Sequence, residues 1–163
     1  MSDIDSPAGS RVAILLAPDG GASRVCFQQG GAMKEIPLGI EPAAVSALFR
    51  RAPPLEADLE RAIDVVEEAV MPLAKLMPAN PHLMAGDAAT QALVRLSMGE
   101  GAGRTATLQA VEALFEQLAL AARRGVWPAS LRMDAAGSAR LLILREFMHH
   151  AGIQQIDIQP ERE

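Results

Sequence analysis

The chain has 163 residues, half of them hydrophobic and 21% charged, with a formal net charge of -5, which suits one domain burying roughly 68–70% of its unfolded surface. The acidic balance and the absence of a basic run interleaved with aromatics speak against a nucleic-acid partner, and a single cysteine, Cys26, excludes an intramolecular disulfide or a thiolate metal site. No apolar run approaches the roughly 20 residues a bilayer demands, and Asp3 and Asp5 stand where a secretory leader would be positive, so a cytoplasmic protein without membrane association is expected.

The apolar residues run along the whole length, which confines disorder to tails at 1–10 and 160–163 and leaves a single domain over 11–159. Two β-rich runs, Arg11 to Leu16 and Arg24 to Gln28, flank Asp19-Gly20-Gly21; a third, Met33 to Leu38, follows Gly30-Gly31. These are three strands of a meander, with glycines supplying the turns. Pro42 to Phe49 reads as a short helix. Pro53-Pro54 then sets the start of a long one from Leu55 to about Leu76, with Leu59, Ile63, Val66, Val70, Leu73 and Met77 at helical spacing. Pro72 lies inside it and removes a backbone hydrogen bond, which predicts a kink or an early end.

His82 to Ala85 is a short strand, and Gly86-Asp87 opens a helix from Ala88 to Met98. Gly99, Gly101 and Gly103 make a flexible loop before a helix from about Thr105 to Arg123, closed by Gly125. Arg123-Arg124 complements that helix's negative end. The last unit is a helix from Asp134 to His150, stopped by Gly152, and a strand carrying Ile156 and Ile158. A meander followed by helix, strand, helices and strand predicts an α/β fold: a ribonuclease H-like (actin-like) half, with a mixed five-stranded sheet and helices packed on its faces.

In order and spacing, from about Val12 to Ile158, the chain resembles the second lobe of the exopolyphosphatase and guanosine pentaphosphate phosphohydrolase family, part of the sugar kinase, heat-shock and actin superfamily. The family's first two strands flank D-I-G-G-G-S-T-E; here the stretch is Ala17-Pro18-Asp19-Gly20-Gly21-Ala22-Ser23-Arg24, and Pro37-Leu38-Gly39 matches the end of the family's third strand. Leu83-Met84-Ala85-Gly86-Asp87-Ala88-Ala89-Thr90 resembles the strand that leads into a G-G-T-A-T-type loop. Arg132-Met133-Asp134 and Ala151-Gly152-Ile153 bracket the last helix as R-x-D and Leu-Gly-Ile do in the family, and Ala136 to Arg140 resembles a nucleotide-side helix start of sugar kinases.

The resemblance implies phosphoryl hydrolysis, which needs a carboxylate for a metal ion or water, and amides and hydroxyls around the phosphate. It also puts Ala17 and Arg24 where the family has its aspartate and glutamate, so both carboxylates are replaced. The remaining anion-binding candidates are Gly20, Gly21, Ser23, Arg24, Gly86 and Thr90; Asp19 and Asp87 are the candidate metal ligands, and they oppose an anion unless a cation intervenes. The family closes this lobe on a first lobe, for which 163 residues leave no room.

Each candidate also has a plain structural reading. Asp-Gly is a common turn pair, Arg24 can pair with Asp19, and Asp87 and Asp134 suit helix N-caps. His149-His150 sit at a helix end that favours cations and point about a hundred degrees apart, which does not suit a shared ion. His82 carries no assignment, Cys26 is a packing residue, and Trp127 covers a helix end or anchors an interface.

The reading that follows is a free-standing, degenerate exopolyphosphatase-like domain without catalysis that binds a partner or a small anion. The alternative is a Mg²⁺-dependent phosphohydrolase with its cleft between two copies or against a first-lobe subunit. The apolar-rich composition predicts a homodimer or another protein partner.

Overall fold

The computed structural model describes residues 9–99 and 103–159. Strands β1 (Arg11–Leu15), β2 (Arg24–Gln29) and β3 (Ala32–Pro37) form the expected meander, antiparallel with Val12 opposite Phe27 and Val25 opposite Ile36. Gly30 and Gly31, at φ +60° and +81°, supply the two positive φ values that a tight two-residue hairpin of matching twist requires. Helices α1 (Pro42–Ser46) and α2 (Glu56–Ala74) follow, then β4 (His82–Ala85) and α3 (Ala88–Met98). β5 (Thr105–Thr107), α4 (Leu108–Arg124), α5 (Ala135–Ala151) and β6 (Gln155–Asp157) complete the order. With Pro72 in its last turn, α2 stops at Ala74, two residues short of the expected end.

Among the described residues the sheet has six strands in the order β3-β2-β1-β4-β6-β5. The extra strand is Thr105–Thr107, expected as the first turn of a helix. It runs antiparallel to β6, with Ala106 opposite Ile156, and Thr107 then caps α4 by accepting the Ala110 amide. β1, β4 and β6 are parallel, and the β3-to-β4 and β4-to-β6 connections step across the sheet in the same direction. Right-handed crossovers deliver the helices of both connections to one face. Burial agrees: Val12, Ile14, Val25, Phe27, Leu83, Ala85 and Ile156 are buried, whereas alternate residues Ala13, Leu15, Cys26 and Met84 stay half-buried.

The core centres on α5, which packs against α1, α2, α3 and α4. Leu141, Leu142, Ile143, Leu144, Phe147 and Met148 are all buried, so the helix is apolar nearly all round, as a helix enclosed by others must be. None of the described helices is long and apolar enough to cross a membrane. Tails were expected at 1–10 and 160–163. Of these residues only Gly9 and Ser10 are described, and the Ser10 carbonyl accepts the His82 amide where the central strands β1 and β4 begin. The expected flexible loop falls in part, at Gly101, outside the described residues.

Candidate functional site

Parallel neighbours β1 and β4 bring the loops after them together at their C-terminal ends, where open α/β sheets bind ligands. Since α5 runs back into β6, which is parallel to both, its N-terminal turns arrive at the same end of the sheet. The three segments enclose a cleft of about 780 Å³ lined by Asp19, Gly20, Gly21, Arg24, Gly86, Asp87 and Arg140, among others.

The loop after β1 is a longer connection than the simple hairpin bend expected at Asp19-Gly20-Gly21. Pro18–Gly20 form a single 3₁₀ turn, and the Gly21 amide donates back to the Pro18 carbonyl at 2.7 Å. Ala17 and Asp19 both take left-handed backbone at φ 49° and 45°, a conformation that costs a non-glycine residue about 1–3 kcal/mol and has to be held from outside. Ser23 holds it. The Ala17 amide donates to Ser23 Oγ at 2.8 Å, while the Ser23 hydroxyl and amide donate to the two carboxylate oxygens of Glu41 at 2.6 and 2.7 Å. Glu41 was not singled out in the sequence, and its position just before Pro42, at the N-terminus of α1, was the only signal available.

The second loop is tied to the first through Asp87. Its Oδ1 accepts the Thr90 amide at 2.9 Å, the N-cap bond expected from sequence, and its Oδ2 accepts the Thr90 hydroxyl at 2.7 Å and the Leu16 amide at 2.8 Å. Gly86 passes so close to β1 that a Cβ there would lie 2.8 Å from Leu15 Cγ and 3.1 Å from the Ile14 carbonyl oxygen. Its amide donates to that carbonyl at 2.8 Å.

Gly20, Gly21, Arg24, Gly86, Asp19 and Asp87 are therefore brought together around one cleft. Ser23 and Thr90 lie behind its wall, buried, with their hydroxyl hydrogens committed to Glu41 and Asp87. The Gly21 and Gly86 amides are likewise engaged within the loops. Arg24 lines the cleft but donates from Nε to Glu35 at 3.1 Å and from Nη1 to the Ala22 carbonyl at 3.1 Å; its partner is Glu35, not Asp19.

Arg140 completes the wall from the second turn of α5, and its Nε is buried without a hydrogen-bond partner among the described residues. A cation near the positive end of a helix is electrostatically misplaced unless an anion faces it. Sequence reasoning reached the segment Ala136 to Arg140 as a helix start and missed this arginine; the available signal was a lone guanidinium in a stretch otherwise made for burial. The two histidines diverge as expected, His149 toward Glu112 and His150 toward Glu67 and Glu146. Cys26 lies on another part of the sheet, where burial and then the Glu35 carboxylate push its thiol above its ordinary value, away from nucleophilic duty.

No protein-family model matches the chain, and no curated protein matches it in sequence. Solved structures do match in fold. The Aquifex aeolicus PPX-GPPA enzyme superposes with a TM-score of 0.69 at 16% identity, over 93% of this chain and 54% of that one. An exopolyphosphatase from Cytophaga hutchinsonii gives a TM-score of 0.61 at 15% identity, over 92% of this chain and 53% of that one. The chain is similar in fold to one half of a Ppx/GppA protein. It spans about half the length of these structures, which agrees with the resemblance to a single lobe.

Proposed function

We propose that this domain is a non-catalytic module that uses the cleft between the β1–β2 loop, the β4–α3 loop and α5 to hold a small anion or an acidic group of a partner, with Arg140 as the anchor. The observation that carries this reading is the buried Arg140 Nε without a partner in a cleft of about 780 Å³. A buried guanidinium donor left unbonded is destabilising, and carboxylates and phosphates satisfy it best. Arg24, about one-third exposed and paired with Glu35, lines the same cleft, as do the carboxylates Asp19 and Asp87, so the unbonded Arg140 donor has to carry the binding.

The hydrolase alternative draws on Asp19 and Asp87 lining the same cleft. Mg²⁺ demands near-ideal octahedral geometry from available oxygens, and Asp87 already accepts three hydrogen bonds that hold the two loops together. The pair fits the ion poorly, and no hydrolytic step is assigned to it.

A thermal-shift screen with phosphate, pyrophosphate, tripolyphosphate and a dicarboxylate tests the binding reading. An anion present at a hundred times its dissociation constant adds about 2.7 kcal/mol of stability, and Arg140→Gln removes the shift. A screen in which no anion stabilises the wild-type chain more than the variant contradicts the proposal.

A further inference from the structure

At the opposite end of α5 from the cleft, a second group of side chains meets where α2 packs against α5. Glu146 and His150, one turn apart on α5, face Glu67 of α2, and one donor atom from each lies within 4.8 Å of the others. His150 Nε2 is 3.0 Å from Glu67 Oε1 and 3.3 Å from Glu146 Oε2. One imidazole nitrogen thus faces two carboxylates from two helices, and it carries at most one proton to offer them.

The charges around the imidazole call for a cation as well. Glu146 is buried, and its other oxygen, Oε1, is held by the Arg145 guanidinium, which in turn stacks on the Phe115 ring with Cζ 4.8 Å from the centroid. With a neutral imidazole, two carboxylates against one guanidinium leave one negative charge beside the last turn of α5, whose carbonyls add their own partial negative charge. Either a proton on Nε2 or a metal ion between the three donors answers that charge, and the convergence of the donors on one point is what favours the metal.

The geometry points to a divalent transition-metal site, of the Zn²⁺ type, formed by Glu67, Glu146 and His150. A tetrahedral Zn²⁺ with bonds of about 2.0–2.1 Å keeps its donor atoms about 3.3–3.4 Å apart, close to the two separations around Nε2. One nitrogen and two carboxylate oxygens suit Zn²⁺, Co²⁺ or Mn²⁺, and nothing here supplies the thiolate or thioether that would select Cu(I). Arg145 on Glu146 Oε1 is the outer hydrogen-bond partner that fixes a ligating carboxylate. Entry is from the Glu67 side, where the carboxylate is 40% exposed while Glu146 is 2% exposed. Three protein donors leave a fourth position for water, and the site is separate from the anion cleft.

The test is a titration of the untagged, EDTA-treated chain with Zn²⁺ by calorimetry and with Co²⁺ by visible absorption. The expected result is one metal ion per chain, with His150→Ala and Glu67→Gln each weakening binding by about 10–100-fold, the range seen even for outer partners of metal ligands. His149→Ala leaves the affinity unchanged, and far-ultraviolet circular dichroism confirms that each variant is folded. Absence of one-equivalent binding overturns the assignment. So does binding that survives either ligand substitution, or binding lost equally in His149→Ala.

Discussion

Asp87 shows how a single carboxylate can look functional in a sequence and act as architecture in the fold. It caps α3 and also receives the Leu16 amide from the loop after β1, so removing it leaves two amides and a hydroxyl without their acceptor. Asp87→Ala is expected to destabilise the domain by about 2–4 kcal/mol, read by urea denaturation, without creating or abolishing a metal-dependent activity. A loss below 0.5 kcal/mol, the ordinary size of a surface effect, contradicts this role. The same distinction separates the hydroxyls: Ser23 and Thr90 were candidates because they lie in the two stretches that resemble the family's phosphate loops, yet each secures a wall by bonding a carboxylate. Spacing in sequence indicates that a hydroxyl is near the loop; it does not say which partner in the fold claims its hydrogen. Arg140 is the converse. Its importance rests on one buried donor, Nε, without a partner, a property that exists only once α5 is docked.

At the scale of elements, the connection between α1 and α2 is pinned to the start of α2 by an ion pair. Arg50 donates through Nε and Nη2 and through its amide to the buried Asp58 in the first turn of α2. The Arg50 hydrogen bonds hold the Asp58 carboxyl below its ordinary value. A carboxyl lowered in the folded state stabilises it fully above the unfolded value of about 3.9, and this stabilisation is lost as pH falls through the folded value. Melting temperature measured from about pH 7 to about pH 2 should therefore fall more steeply for the wild type than for Asp58→Asn; parallel profiles contradict the linkage. The buried face of α5 supplies the larger stabilisation, and Leu142→Ala is expected to cost about 2–5 kcal/mol in the same denaturation assay.

These elements were also the most legible. The β-branched runs and glycine turns located the meander, and the positions of Gly125 and Gly152 located two helix ends to within a residue. β5 was not legible because Thr105–Thr107 is three residues long and its strand state comes from pairing with β6, some fifty residues away, where Thr105 Oγ1 also donates to Asp157 at 2.6 Å. Local periodicity carries no trace of such a partner. The turn at Asp19 was legible as a turn, whereas its left-handed backbone and the Ser23–Glu41 clamp depend on α1.

At the scale of the whole molecule, the sheet presents a half-buried face, Ala13, Leu15, Cys26 and Met84, bordered by Met33 at 64% exposure. Met71 in the last turn of α2 and Leu76 just beyond it are exposed as well. Such apolar surface motivates the expected self-association, and a twofold interface of ordinary size would remove about 800 Å² per partner. Light scattering across a wide dilution range should give twice the chain mass, and a single-chain mass throughout would contradict it. The central claim, that the cleft binds an anion through Arg140 and does not turn it over, is tested most directly by one calorimetric titration of tripolyphosphate in the presence of Mg²⁺. Saturable heats that return to baseline are expected, with affinity reduced about 10–150-fold in Arg140→Gln, the range for a hydrogen bond to a charged group. A continuous heat of hydrolysis that disappears in Asp19→Ala, or equal affinity in Arg140→Gln, would contradict it.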